Sequence, residues 1–425
     1  MAQEQRRGRL STALRLALYP AFEPVERRRM QSLTIDAENA RHSKNYAEAE
    51  KLYLTAIQEA QKSSDLATHL HLAQHGLAQV YKEQGRYGEA EKIHWSLLRN
   101  AQDSPQPTTL VHAGHMSLAQ LYQDQEKFGE AEQHYKAALA ETEKLELWPN
   151  RAPLASTSIW VAKFYASQRR YAEAEPHFRR TLEILESEES RADSYLPTHL
   201  ADFAKFYQDQ GKNEAAEELY LRALALSEKT HGPESTMTVH AIYELAGFYR
   251  ATGRYPKAET NYRRALAIVE KTAALQTSLY TKRWSRLRWN RRTLQTLIEG
   301  PQLSVGAALD RWAEVYEDQH KYAEAEPLRK RSLDIKEKAR GGTLHPTVAD
   351  ALETYAALLR HIGRGTEAAD LEARARSIRA KYPKGSYQCQ LRAFTRPIRR
   401  TLRWRLSTFV NAVFHPSRFH TGQER

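Results

Sequence analysis

One phrase returns along this chain at a fixed spacing, and that spacing calls for an open array, not one closed core. LAQVYKEQGRYGEAEKIHWSLL begins at Leu77, LAQLYQDQEKFGEAEQHYKAAL at Leu118 and VAKFYASQRRYAEAEPHFRRTL at Val161. FAKFYQDQGKNEAAEELYLRAL follows from Phe203 and LAGFYRATGRYPKAETNYRRAL from Leu245. Two later copies, WAEVYEDQHKYAEAEPLRKRSL and YAALLRHIGRGTEAADLEARAR, begin at Trp312 and Tyr355, and a degenerate first copy, ENARHSKNYAEAEKLYLTAI, begins at Glu38. The turn residue sets the beat: Tyr46, Tyr87, Phe128, Tyr171, Asn213, Tyr255, Tyr322 and Gly365, with gaps of 41, 41, 43, 42, 42, 67 and 43. In such an array each unit packs only on its neighbours, and length adds units instead of domains.

Each copy reads as two helices. In the second, Leu77, Ala78 and Tyr81 share one face of a first helix, helix A. Gly85 allows a turn, Tyr87 fills the corner, and Ala90, His94 and Leu97 line the inner face of helix B. Small Ala78 and Ala90 let the helices approach closely while aromatics fill the space around them. Pro176 and Pro327 fall near the start of helix B, where a missing amide donor costs least. The EAE phrases put acidic residues at the positive end of the helix-B dipole. HGPES at His231 and GGTLHP at Gly341 read as turns before helix A.

Composition agrees. Charged residues make up 27% and apolar ones 41% of the 425 residues, a helix-rich globular profile. The single cysteine, Cys389, excludes an internal disulfide framework and fits a reducing compartment. No run of eighteen apolar residues occurs, and Arg15 interrupts the short apolar stretch near the start, which lacks a small-residue cleavage site. A cytoplasmic location is the expectation. The net charge of +12 is uneven. Residues 381–425 carry ten Lys/Arg against Glu424, residues 271–300 seven against Glu299, and residues 1–30 seven against three acids. The repeat body is mildly acidic once these are set aside.

The phrases QGRYGEAE, YAEAEP and GGTLHPTVADALETYAALLR resemble the tetratricopeptide repeat family, in its long-unit branch seen in kinesin light chains and many bacterial proteins. The resemblance covers roughly residues 33–380. It implies an all-α fold, a right-handed superhelical solenoid of stacked antiparallel helix pairs. The chain then divides into a basic amphipathic segment (1–32), six repeats (33–270), a basic Trp/Arg-rich insert (271–302), two repeats (303–380) and a basic tail (381–425). The family match speaks to architecture; function lies in the surface grafted onto it.

The resemblance also implies that helix A lines a concave groove where a partner peptide or helix lies, making the chain an interaction scaffold or adaptor and not an enzyme. Groove positions in the second to sixth units are His75, Gln79, Lys82, Gln120, Gln123, Lys163, Lys205, Gln208 and Arg250. In the last two they are Asp310, Glu314, Glu317, Asp350 and Glu353, so the expected groove is basic-polar early and acidic late. Kinesin light chains carry asparagines just before the Leu-Ala pair. Here those positions hold Gly76, Ser117, Trp160, Asp202, Glu244, Arg311 and Thr354, so motor-cargo recognition is not carried over.

The additions support a second reading, association with nucleic acid or an anionic membrane. In the insert, Trp284 and Trp289 stand among Lys282, Arg283, Arg286, Arg288, Arg291 and Arg292. An extra helix laid on the solenoid is the simpler expectation there. In the tail, Ile398, Leu402, Leu406, Phe409, Val410 and Val413 recur at helical spacing with Arg399, Arg400 and Arg403 opposite. That helix suits an anionic surface, or a cap on the last repeat. Leu10, Leu14 and Leu18 beside Arg7 and Arg15 repeat the pattern more weakly. No GxxxxGK[ST], GxGxxG, GxSxG or HExxH motif occurs, so no catalytic residue or cofactor is expected. His71 with His75 and His112 with His115 share helix faces, but zinc needs three or four convergent ligands, so no metal site is expected either.

Overall fold

The computed structural model describes residues 25–62, 66–102, 107–144, 152–187, 196–284, 291–339 and 346–381. Among them every regular element is a helix, and the helices come in consecutive pairs. Two compact units, residues 1–145 and 146–425, divide the chain. The first holds three pairs: α1 (Val25–His42) with α2 (Tyr46–Ala60), α3 (Ala67–Glu83) with α4 (Tyr87–Gln102), and α5 (Pro107–Asp124) with α6 (Phe128–Glu143). The second holds five: α7 (Ala152–Ser167) with α8 (Tyr171–Ser187), α9 (Leu196–Asp209) with α10 (Asn213–His231), α11 (Thr236–Ala251) with α12 (Tyr255–Trp284), α13 (Arg291–Asp318) with α14 (Tyr322–Ala339), and α15 (Pro346–His361) with α16 (Gly365–Lys381).

All eight beat residues, Tyr46 through Gly365, are the first residue of a helix B. The turn before each is built the same way. Two residues upstream the backbone is left-handed, at Gly85 (φ 75°), Gly211 (75°), Gly253 (72°) and Gly363 (81°). The other four turns put Lys44 (57°), Glu126 (60°), Arg169 (59°) and His320 (58°) in that conformation. The next amide then reaches back five residues, as Arg86 N to Tyr81 O at 2.9 Å and Arg254 N to Tyr249 O at 2.8 Å, which satisfies carbonyls orphaned at the end of helix A.

Small residues set the closeness within each pair. The fourth residue of every helix B is a fully buried alanine: Ala49, Ala90, Ala131, Ala174, Ala216, Ala258, Ala325 and Ala368. Large rings fill what remains. Tyr53, Tyr135, Phe178, Tyr220 and Tyr262 occupy the eighth position of their helices, each at most 2% exposed. Burying such a side chain contributes about 2–3 kcal/mol.

Two expected boundaries shift. Helix α1 starts at Val25, directly after Pro24, so the first repeat's helix A reaches eight residues into the segment assigned to 1–32. The insert is not a separate helix: α12 runs on for 30 residues and α13 starts early to span 28, so the extra sequence lengthens the two arms of one hairpin. A helix does not end where a repeat ends unless a breaker stops it, and no Gly or Pro stands between Lys271 and Trp284. Arg286 and Arg288 lie outside the described residues, as do the tail with Arg399, Arg400, Arg403 and Cys389 and the stripe of Leu10, Leu14 and Leu18. Arg283, Arg291 and Arg292 lie on α12 and α13, with side chains outside the description.

Candidate functional site

The surfaces a partner could meet are positioned by one recurring contact between repeats. A helix-A tyrosine, six residues before the beat, donates its hydroxyl proton to the glutamate that ends the EAE phrase of the repeat before. Tyr81 reaches Glu50 at 3.0 Å and Tyr122 reaches Glu91 at 2.7 Å in the first unit. In the second unit Tyr207 reaches Glu175 at 2.9 Å, Tyr249 reaches Glu217 at 2.7 Å and Tyr316 reaches Glu259 at 2.8 Å. The last repeat carries its tyrosine one turn earlier, and Tyr355 still finds Glu326 at 3.0 Å.

A cation closes each clasp. Arg86 lies 4.1 Å from the centre of the Tyr81 ring and bonds Glu50 at 2.8 Å; Arg254 lies 5.1 Å from the Tyr249 ring and pairs with Glu217. Hydrogen bonds from Lys257, Tyr249 and Arg254 hold the Glu217 carboxyl at about 2 despite partial burial, and burial pushes the Tyr249 hydroxyl up to about 12. Along the sequence the EAE carboxylates read as helix starters. That describes the first of each pair, such as Glu48 and Glu89 in the first turns of α2 and α4. The second of each pair is a junction residue, and the tyrosine-to-glutamate spacing of about thirty residues was the available signal.

On the helix-A face, most of the expected groove residues are already paired. Lys82 bridges to Asp124 of the next helix A at 3.0 Å, and Lys163 bridges to Asp202 at 2.7 Å. Lys205 pairs within its own helix, with Asp209 at 2.7 Å. Gln123 and Gln208 accept hydrogen bonds from the buried Tyr135 and Tyr220, at 2.8 and 3.1 Å. Arg250 reaches across to Glu314 and, at 2.5 Å, Asp318. Arg379 engages Asp350 and Glu353. His75 packs on His94 with ring centres 5.7 Å apart, and Gln79 and Gln120 are half-buried.

The acidic helix-A residues of the last two repeats are therefore largely neutralised from within. The eighth position of helix B, a ring in most repeats, is Arg329 in α14, only 6% exposed. It bonds Glu317 at 2.8 Å and Asp310 at 3.2 Å, while Lys336 takes the other oxygen of Asp310. A basic-to-acidic gradient legible in helix A alone is cancelled by cations that helix B and neighbouring repeats supply.

Large apolar side chains are also exposed on this face. Trp160, eleven residues before its beat, is 47% exposed on α7, in a stripe with Ser156, Lys163 and Ser167. Lys163 at the next turn faces Asp202, which holds the same repeat position as Trp160, so the tryptophan and the inter-repeat bridge share one face. Met237 on α11 is exposed to 46% near the start of its helix. In the sequence Trp160 stands out as a tryptophan at a position otherwise held by Gly, Ser, Asp, Glu, Arg and Thr.

His94 holds the eighth position of α4. It is 1% exposed and its Nδ1 has no hydrogen-bond partner. Burial and the neighbouring His75 and Lys82 lower its pKa to about 4. His134 falls to about 4 as well, through burial and His115, whose Nδ1 stands 2.9 Å from its own. Among the described residues no three His, Cys, Asp or Glu side chains converge as a metal site would require. No described helix is long and apolar enough to cross a membrane.

Two family models described as Tetratricopeptide repeat match the sequence, one over residues 195–271 and 304–381, the other over 116–146 and 161–188. Together they span just over half of the chain. Among solved structures, BtubC (BKLC) from P. vanneervenii is 18% identical with a TM-score of 0.46, over 60% of this chain and 92% of that one. A protein described as a kinesin light chain from Podosopora anserina, with nearly identical TPR-like repeats, is 22% identical with a TM-score of 0.41, over 56% and 99%. The apo form of RapI is 13% identical with a TM-score of 0.45, over 84% and 99%. No curated protein matches the sequence.

Proposed function

Because the chain belongs to the tetratricopeptide repeat family, we propose that it is a protein-interaction scaffold, an adaptor that holds a peptide or helix of another protein against the helix-A faces of its repeats. The observation that carries the reading is Trp160, a large aromatic left 47% exposed on a face where the charged groups are already paired. Exposed aromatics in such settings anchor partners, because they bury much area at low entropic cost, while satisfied ion pairs around them supply a polar rim. Met237 adds a second apolar point on the same unit. The single cysteine in 425 residues supports a cytoplasmic setting. Binding energy in this reading comes from aromatic burial, and the bridged lysines contribute little.

The test is retention of proteins from native lysate by the immobilised full chain, compared with its Trp160→Glu and Lys205→Glu variants after nuclease treatment. Loss of the same bound proteins with Trp160→Glu alone is the expected result. Equal retention by both variants, with release by added salt, would instead move the function to the basic insert and tail.

A further inference from the structure

Where the eighth residue of helix B is a tyrosine, helix A of the same repeat supplies an acceptor for its hydroxyl. Gln123 takes the Tyr135 proton at 2.8 Å and Gln208 the Tyr220 proton at 3.1 Å. In the first repeat the acceptor is a carboxylate. Tyr53 donates to Glu38 at 2.6 Å, and Arg41 holds the same carboxylate through its Nε at 3.2 Å. Arg41 also reaches Glu83 on the next helix A.

The sixth repeat keeps the tyrosine and the arginine of that arrangement and drops the carboxylate. Tyr262 stands where Tyr53 does, and Arg250 stands where Arg41 does, five residues before the beat. Arg250 likewise reaches the next helix A, at Asp318 and Glu314, and uses three of an arginine's five donors there. The place of Glu38, eight residues before the beat, falls to Gly247. A β-carbon on Gly247 would meet only the Tyr262 hydroxyl within 4 Å, at 3.8 Å. Tyr262 is 2% exposed, and among the described residues its hydroxyl finds no acceptor. Buried polar groups are nearly always hydrogen-bonded, so this hydroxyl calls for a partner from outside the chain.

A further donor converges on the gap. The bridge from Lys163 to Asp202 shows that a side chain eight residues before one beat faces the side chain eleven before the next. Gly247 and Arg311 hold those two positions. Arg311 is exposed and lies 5.1 Å from the centre of the Tyr243 ring, and among the described residues no carboxylate pairs with it. Burial pushes the Tyr262 hydroxyl up from its ordinary value, so it keeps the proton it would donate. Arg250 and Arg311 act on it in the opposite sense, Glu314 and Glu244 in the same. Of these two acids, Glu314 is bonded by Arg250 and Glu244 lies 3.8 Å from His240.

We infer that the gap between α11 and α13 is a carboxylate-binding subsite. An aspartate or glutamate side chain of the partner segment takes the place that Glu38 holds in the first repeat, bonded by Tyr262, Arg250 and Arg311. The subsite rests on the scaffold reading, since a segment lying on the helix-A face is what presents the acid there. Charge-assisted hydrogen bonds are strong and directional, so this contact sets the partner's register, while Trp160 supplies apolar burial.

Fluorescence anisotropy with labelled peptide pools tests this on the full chain. One pool of short, acetylated and amidated peptides carries a central Glu between randomised uncharged residues, and a second carries Gln instead. The Glu pool should bind about tenfold more tightly. Gly247→Glu fills the gap with the chain's own carboxylate and should abolish that preference, while Arg311→Gln and Tyr262→Phe should each reduce it severalfold. Trp160→Glu should weaken both pools alike and leave the preference intact. Equal binding of the two pools, or none, overturns the inference and leaves the scaffold reading to be decided by lysate retention. A preference that survives Gly247→Glu overturns it too. Tighter binding of a Gln pool with a free C-terminal carboxylate would assign the gap to chain ends, against the side-chain assignment.

Discussion

The backbone of Gly76 on α3 lies against the ring of Tyr53 on α2, so near that a β-carbon on the glycine would stand 2.4 Å from the ring. Tyr53 is 1% exposed and its hydroxyl is fixed by Glu38 at 2.6 Å, so it has nowhere to retreat. Glycine at this position, which is Ser, Trp, Asp, Glu, Arg or Thr in the other repeats, follows from that packing. Gly76→Ala should destabilise the first unit by about 1–3 kcal/mol through overpacking. The check is urea unfolding of Gly76→Ala beside the double variant with Tyr53→Leu, in which the alanine penalty should shrink because the two sites share one contact.

Acidification should loosen the first unit through its buried histidines. Burial is the main cause holding His94 at about 4, below its ordinary value of 6.5, so the folded chain binds this proton later than the unfolded chain. The stability is fully present above about pH 6.5 and is lost as pH falls toward about 4, by about 3 kcal/mol for this residue. Tyrosine fills the same position in α2, α6, α10 and α12, so His94→Tyr should flatten the dependence. Hydrogen exchange of α3 and α4 at several pH values reads this, and an unchanged slope in the variant would sink the assignment to His94.

Each clasp should behave as a modest, separable bond between repeats. Tyr249→Phe removes one hydrogen bond and should cost about 1 kcal/mol. Glu217→Gln should cost more, because Arg254 and Lys257 lose their counter-ion together with Tyr249. A double-mutant cycle on the pair should give a coupling near the cost of Tyr249→Phe. Additive effects would show that the contact contributes nothing to stability.

Removing residues 382–425 should leave the melting temperature of the repeats unchanged. The last repeat lacks features by which earlier repeats receive a successor: Ala369 replaces the clasp glutamate, and Arg376 the apolar residue that is Leu333 in α14. With no large apolar side chain exposed on its described face, α16 is expected to need no helical cap. Differential scanning calorimetry of the shortened chain decides, and a fall of several degrees would restore the capping role.

The eight helix pairs were legible because turn chemistry and small-residue spacing are local, and the beat from Tyr46 to Gly365 marks every helix-B start. The outward-facing helix-A positions were legible, but not what they pair with. Asp310 and Glu317 read as free carboxylates along the sequence, since Arg329, which neutralises both, stands where other repeats carry a ring. Lys163 read as available because its partner, Asp202, is thirty-nine residues away on the next helix A. Local patterns reveal which side chains face outward, and only the stacking of one repeat on another reveals which of them are already engaged.

The clasp also gives the array a grammar with a beginning and an end. Ala40 stands where later repeats carry the reaching tyrosine, and Ala369 stands where earlier ones carry the accepting glutamate. Any interior repeat bears both halves and reads correctly after any other, so copies gained or lost in the middle leave every seam intact. The terminal repeats each bear one half only, facing inward.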